Sequence, residues 1–117
     1  MTGVHEEFSL STHGDSKSSL SALLIDFALR KSFALQHKLS DPVLLMEGMS
    51  GKKYRIFINN LLSSLPDARY LEIGTWAGST VCAAMYGNKA KVTCVDNWSL
   101  FGGASRPFHA ECQLVQE

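Results

Sequence analysis

The chain has 117 residues, 45% of them hydrophobic, with 11 basic and 11 acidic side chains that cancel to a formal charge of zero. That length holds one domain with a modest core, and the balanced charge excludes the basic footprint of a nucleic-acid binder. No apolar run reaches the roughly 18 residues that a membrane span needs, because Asp26, Arg30 and Lys31 interrupt the best candidate.

Residues 1–17 read as a loose polar tail carrying His5, Glu6, Glu7, His13 and Asp15, which is no signal peptide. From Ser19 a helical pattern runs through Leu20, Leu23, Leu24, Phe27 and Ala28 to Leu35, with Leu39 near its end. Asp41-Pro42 breaks it and caps a short following segment. A second helix is better marked: Tyr54, Phe57, Ile58, Leu61, Leu62 and Leu65 share one apolar face, and Pro66-Asp67 ends it. Residues 70–73 form a buried strand, and residues 79–86 a helix stopped by Gly87-Asn88. Residues 91–95 form a second strand ending in Asp96. After Trp98 the pattern dissolves into a loop at 99–103 and one short helix behind Pro107.

The informative stretch is Tyr70-Leu-Glu-Ile-Gly-Thr-Trp-Ala-Gly78, followed by Ser79-Thr80. A strand running into a glycine-punctuated turn and then a helix lets backbone N–H groups approach a ligand. An acid about 20 residues beyond such a turn is where a Rossmann-like fold grips ribose hydroxyls, and Asp96 stands there. A dinucleotide fingerprint would be Gly-x-Gly-x-x-Gly, but Trp76 occupies the second glycine position and Ser79 the third. This makes a nicotinamide-nucleotide module the weakest reading. Glu72 at the strand tip would repel a diphosphate and suits a cation such as an amino-acid ammonium. S-adenosylmethionine offers that ammonium, no phosphate, and a ribose.

These residues resemble a known family. Leu71-Glu72-Ile73-Gly74-Thr75-Trp76-Ala77-Gly78-Ser79-Thr80 is similar to motif I of class I S-adenosylmethionine-dependent methyltransferases. Its nearest likeness is to the macrocin and caffeoyl-CoA O-methyltransferase-like branches, which tolerate a bulky residue at the central glycine. Val95-Asp96-Asn97-Trp98 resembles the acidic end of the second strand, and residues 46–55 resemble the lead-in before the first core helix. The resemblance covers residues 46–103. It implies S-adenosyl-L-methionine as cofactor, with Gly74, Thr75, Trp76, Gly78 and Ser79 forming the turn and Glu72 holding the methionine amino group. Asp96 would take the ribose hydroxyls, with Asn97 or Trp98 beside the adenine.

The fold class expected is α/β, an incomplete Rossmann-like class I methyltransferase fold made of a helical lead-in and the first β-α-β unit. The domain organisation expected is a tail at 1–17, a partial methyltransferase domain at 18–103 and a C-terminal tail at 104–117. Within the domain, the lead-in spans 18–66 and the cofactor-binding β-α-β unit 69–98. A class I methyltransferase has about seven strands, and its catalytic base or metal acids lie on later ones, so no catalytic residue is assigned and no metal is expected. The activity implied is methyl transfer to an oxygen or nitrogen of a small molecule, by a truncated or partial copy without turnover of its own. The alternative is a non-catalytic cofactor- or partner-binding remnant. Two parallel strands are no independently stable sheet, so a second copy or a complementing chain is an expected partner, and nucleic acid and membrane are not.

Plainer roles compete at several positions. Asp96 is also an ordinary turn acid, Gly74 and Gly78 also simply end a strand, and Trp98 also suits a core. Met46 and Met49 read as helix-packing residues, and Lys52, Lys53 and Arg55 as a solvated helix face. The three cysteines are odd in number and unevenly spaced, which argues against a disulfide framework and for a cytoplasmic chain. Their intervals with His109 do not suit zinc.

Overall fold

A computed structural model describes residues 11, 13–14, 16–76 and 78–96. Its elements are α1 (Ser16–Phe33), α2 (Asp41–Leu44), α3 (Lys52–Ser63), β1 (Ala68–Ile73), α4 (Ser79–Met85) and β2 (Ala90–Val95). The two strands pair in parallel, with Ala68 opposite Ala90 and Ile73 opposite Val95. This is a small α/β unit with a β-α-β crossover, compatible with part of a Rossmann-like sheet. The expected order of elements is observed, with β1 starting two residues before the expected strand. The C-terminal loop and helix expected beyond residue 98 lie outside the described residues.

Burial alternates along the strands. Tyr70 and Glu72 of β1, with Val92 and Cys94 of β2, turn to the helical side, and the intervening residues turn away. Helix α4 is short, and six of its seven residues are buried. A helix apolar on every side belongs in an interior. Val81, Cys82, Ala83 and Met85 join Leu39, Val43, Met46 and Ile56 in the main cluster, against which Tyr70, Val92 and Cys94 pack. A smaller cluster of Leu62, Ala68 and Ala84 closes the lower end. Asn59, wholly buried on α3, ties the helices together: its Nδ2 donates to the carbonyls of Ala83 and Tyr86, both at 2.8 Å.

Three expectations need correcting. The stripe of Leu20, Leu23 and Phe27 on α1 is exposed. That helix meets α3 through its small residues instead, burying Ala28 and Ser32, and Ser32 Oγ donates to the Lys53 carbonyl. Helix α3 buries Arg55, Ile56, Asn59 and Leu62, a face offset from the predicted stripe, because α4 lies against its polar positions. The cysteines are not all thiols: Cys94 is free and Cys82 is disulfide-bonded.

One face of the sheet has no covering layer among the described residues. Leu71 is 62% exposed, Ile73 79% and Val95 50%. Parallel sheets bury both faces as a rule. No helix of the described residues is long and apolar enough to cross a membrane.

Candidate functional site

The site forms where β1 and β2 end side by side. Beyond Ile73 the chain must leave the sheet and re-enter as α4 within a few residues, and it does so through left-handed backbone. Gly74 has φ +87°, Trp76 +50° and Gly78 +96°. Glycine takes these angles freely, but a bulky side chain at positive φ is a true outlier. Trp76 thus keeps the backbone path of a glycine turn without the glycine.

The end of β2 holds this path in place. The Val95 carbonyl accepts the N–H of Gly74 at 2.7 Å and that of Thr75 at 3.4 Å. One residue on, Asp96 Oδ2 accepts the Trp76 N–H at 2.7 Å. A carboxylate–amide bond of this length is charge-assisted and offsets part of the strain at Trp76. The Thr75 carbonyl then accepts the Gly78 N–H at 2.9 Å, which delivers the chain into α4. Asp96 therefore acts as a turn acid in this structure, whatever else it binds.

Beneath the turn lies Glu72, 9% exposed. Its Oε1 accepts from the Tyr70 hydroxyl at 2.7 Å, the two side chains sharing a strand face at the two-residue period. Its Oε2 is buried without a hydrogen-bond partner, and so is Thr75 Oγ1. Burial raises the Glu72 carboxyl above the ordinary carboxylate range; Tyr70, the Thr75 hydroxyl and the Val81 N–H pull it back only in part. The Thr75 and Val81 groups lie close to the carboxyl but short of hydrogen-bonding geometry. Tyr70 is pushed well above its usual range, first by burial and then by its bond to Glu72. The Cys94 thiol, opposite Glu72 in register, is also raised by burial. A buried carboxylate oxygen without a well-formed hydrogen bond is expensive, and a cationic donor would satisfy it.

Of the residues expected at the site, Glu72, Gly74, Thr75, Trp76, Gly78, Ser79 and Asp96 are gathered at this one end of the sheet. Asn97 and Trp98 lie outside the described residues. Gly74 faces open space, with nothing within 4 Å of where a Cβ would stand. Ser79 is buried at the start of α4.

Two contributors escaped the sequence reading. Tyr70 was legible from the strand period alone, as the residue two before Glu72. Arg55, expected in solvent, is 2% exposed. It reaches back from α3 to the carbonyls of Leu44 (2.9 Å) and Met46 (2.7 Å), and its Nε donates to Ser50 Oγ at 2.9 Å. Met49, expected to pack, is 88% exposed on the loop so held, while Met46 is in the core.

Comparisons with protein-family models, with characterised proteins and with solved structures return no match to this chain.

Proposed function

We propose that this chain carries the cofactor half-site of an S-adenosylmethionine-dependent methyltransferase acting on a small molecule. One observation carries the reading: Glu72 keeps an unpartnered, buried carboxylate oxygen directly beneath a left-handed glycine turn stitched to Asp96. An ammonium suits that oxygen in charge and in donors, a phosphate does not, and a ligand with an ammonium but no phosphate fits the resemblance at residues 71–80. Glu72 would receive the methionine amino group, the backbone of Gly74, Thr75 and Trp76 would border the ligand, and Asp96 would face the ribose while bracing the turn. When bound, the cofactor supplies an electrophilic methyl group. The part of these residues is to bind and orient it, and positioning is the main source of rate in such a displacement. No residue is assigned to take the acceptor's proton.

A second reading has its own observation. The uncovered apolar residues Leu71, Ile73 and Val95 favour a cofactor- or partner-binding chain that another polypeptide completes.

The test is a thermal melt of the purified chain with S-adenosylhomocysteine, with NAD as control. Ligand at 100 times its dissociation constant adds about 2.7 kcal/mol, a rise on the order of 10 °C for a domain this small. A rise with S-adenosylhomocysteine alone supports the proposal. A cooperative melt indifferent to both ligands rejects it in favour of the partner-binding reading.

A further inference from the structure

We propose that Arg55 is a latch, a positioning residue that fixes residues 44–50 against the first turn of α4 as a preformed wall of the cofactor turn; the inference rests on the functional reading above. The loop leaves the C-terminal end of α2, where the last carbonyls of a helix lack partners. Arg55 supplies donors there and just beyond: Nη1 lies 2.9 Å from the Leu44 oxygen and 2.7 Å from that of Met46, and 3.4 Å from the Val43 oxygen, which also accepts the Met46 N–H. A planar guanidinium is suited to holding several oxygens at fixed angles, and a lysine ammonium is not. The charge is stationed among carbonyl dipoles at a helix C-terminus, which favour a cation. Burial nevertheless lowers the Arg55 pKa from its ordinary value, so this arginine is held inside at a cost that a solvated helix face would not incur.

The far side of the latch reaches the site. Ser50 Oγ accepts from Arg55 Nε and also from Thr80 Oγ1 at 2.8 Å, so one hydroxyl joins the clamp to α4. Two residues earlier the loop backbone lies against Ser79. A Cβ at Gly48 would overlap the Ser79 side chain, whose Cβ is 2.6 Å away, and would stand 3.3 Å from Arg55 Nη2. Glycine at position 48 is thus needed for close approach, not for backbone angle. Ser79 follows Gly78 directly, so the loop borders the turn where the ligand is proposed to sit, and it presents Met49 to solvent there. Loss of the latch would leave the turn and the helices formed but remove one wall of the site.

The experiment uses the full chain as wild type, Arg55→Lys and Gly48→Ala. Binding of S-adenosylhomocysteine is measured by calorimetry, and amide hydrogen exchange is followed at residues 46–50 and 74–80. In the wild type, ligand should slow exchange in both segments. Arg55→Lys should speed exchange at 46–50 by tenfold or more and weaken binding at least tenfold. Gly48→Ala leaves the guanidinium intact and lifts the loop off Ser79; it should weaken binding to a similar degree, and it decides the matter if Arg55→Lys does not fold. A folded variant that binds as tightly as wild type overturns the latch alone. A wild-type chain that binds no S-adenosylhomocysteine removes the functional reading, and the wall goes with it.

Discussion

The two ends of the sheet are built on opposite principles. At the lower end, where the strands begin, polar groups are cross-linked: Lys38 Nζ donates to Ser63 Oγ at 2.7 Å and Asn88 Oδ1 at 2.5 Å, and Ser63 Oγ donates to the Asn59 carbonyl at 2.8 Å. Asn88 Nδ2 donates to the carbonyls of Asn59 and Ala84, closing the ends of α3 and α4. An open depression of about 890 Å³ lies there, lined by Lys38, Arg69, Lys89 and Lys91 with Asp67. At the upper end, where the strands finish, lie two of the three buried unpartnered side-chain oxygens found among the described residues, those of Glu72 and Thr75, together with Trp76 at positive φ. The third, Asn59 Oδ1, belongs to the helix interface. The depression is thus at the end with the cross-linked polar network, and the unspent bonding capacity of Glu72 and Thr75 is at the other. In open α/β sheets ligands bind outside the carboxyl ends of the strands, which is the end where Glu72 and Thr75 keep unpartnered oxygens.

The comparison can be broken most forcefully at Asn59. Asn59→Ala removes both bonds to α4 and should cost on the order of 2–3 kcal/mol, read as a shifted denaturant midpoint. The molecules still folded should bind S-adenosylhomocysteine as before; a large loss of affinity would mean the two ends are not separable.

Asp96 divides its roles between bracing and binding. Asp96→Ala should cost about 1 kcal/mol through the lost Trp76 bond, whereas Asp96→Asn keeps an acceptor oxygen and should lose less. Both should weaken S-adenosylhomocysteine at least tenfold by calorimetry. An Asn variant with wild-type affinity would confine Asp96 to the turn.

Glu72 gives a pH signature. Its folded pKa is raised, so below the ordinary carboxylate pKa both states are protonated and there is no penalty. As pH rises through that value the unfolded chain ionises first, and stability falls until the folded pKa is passed. Glu72→Gln should therefore match wild type in a melt near pH 4 and exceed it near pH 7.5. An advantage equal at both pH values would show that the carboxyl does not titrate as its burial requires. The smallest effect is chemical: with its pKa raised by burial, Cys94 should be alkylated more slowly at pH 8 in the folded chain than in the unfolded one.

Much of the site was legible because it is local. Gly74, Gly78 and Glu72 lie within seven consecutive residues, and the strand period places Tyr70 beside Glu72 without reference to anything else. Asp96 was legible from its distance along the chain, but not its bond to Trp76, which depends on how the end of β2 meets the turn. Arg55 was misread for a physical reason. A charged residue near the start of an amphipathic helix is ordinarily solvated, and only the return of residues 43–50 across it supplies the carbonyls that allow burial. The same holds for α1, whose leucine and phenylalanine stripe reads as a core face but lies in solvent because α3 meets the helix at Ala28 and Ser32.

By itself the sequence determined the order of elements and the turn, since hydrophobic period, glycine position and helix-ending residues act over a few neighbours. Only the tertiary structure decided which polar groups find partners: that Arg55 and the Asn59 amide N–H groups are satisfied inside, that Asp96 braces Trp76, and that Glu72 is left with an oxygen to offer. Burial and hydrogen-bond satisfaction depend on residues distant in the chain, and no local pattern encodes them.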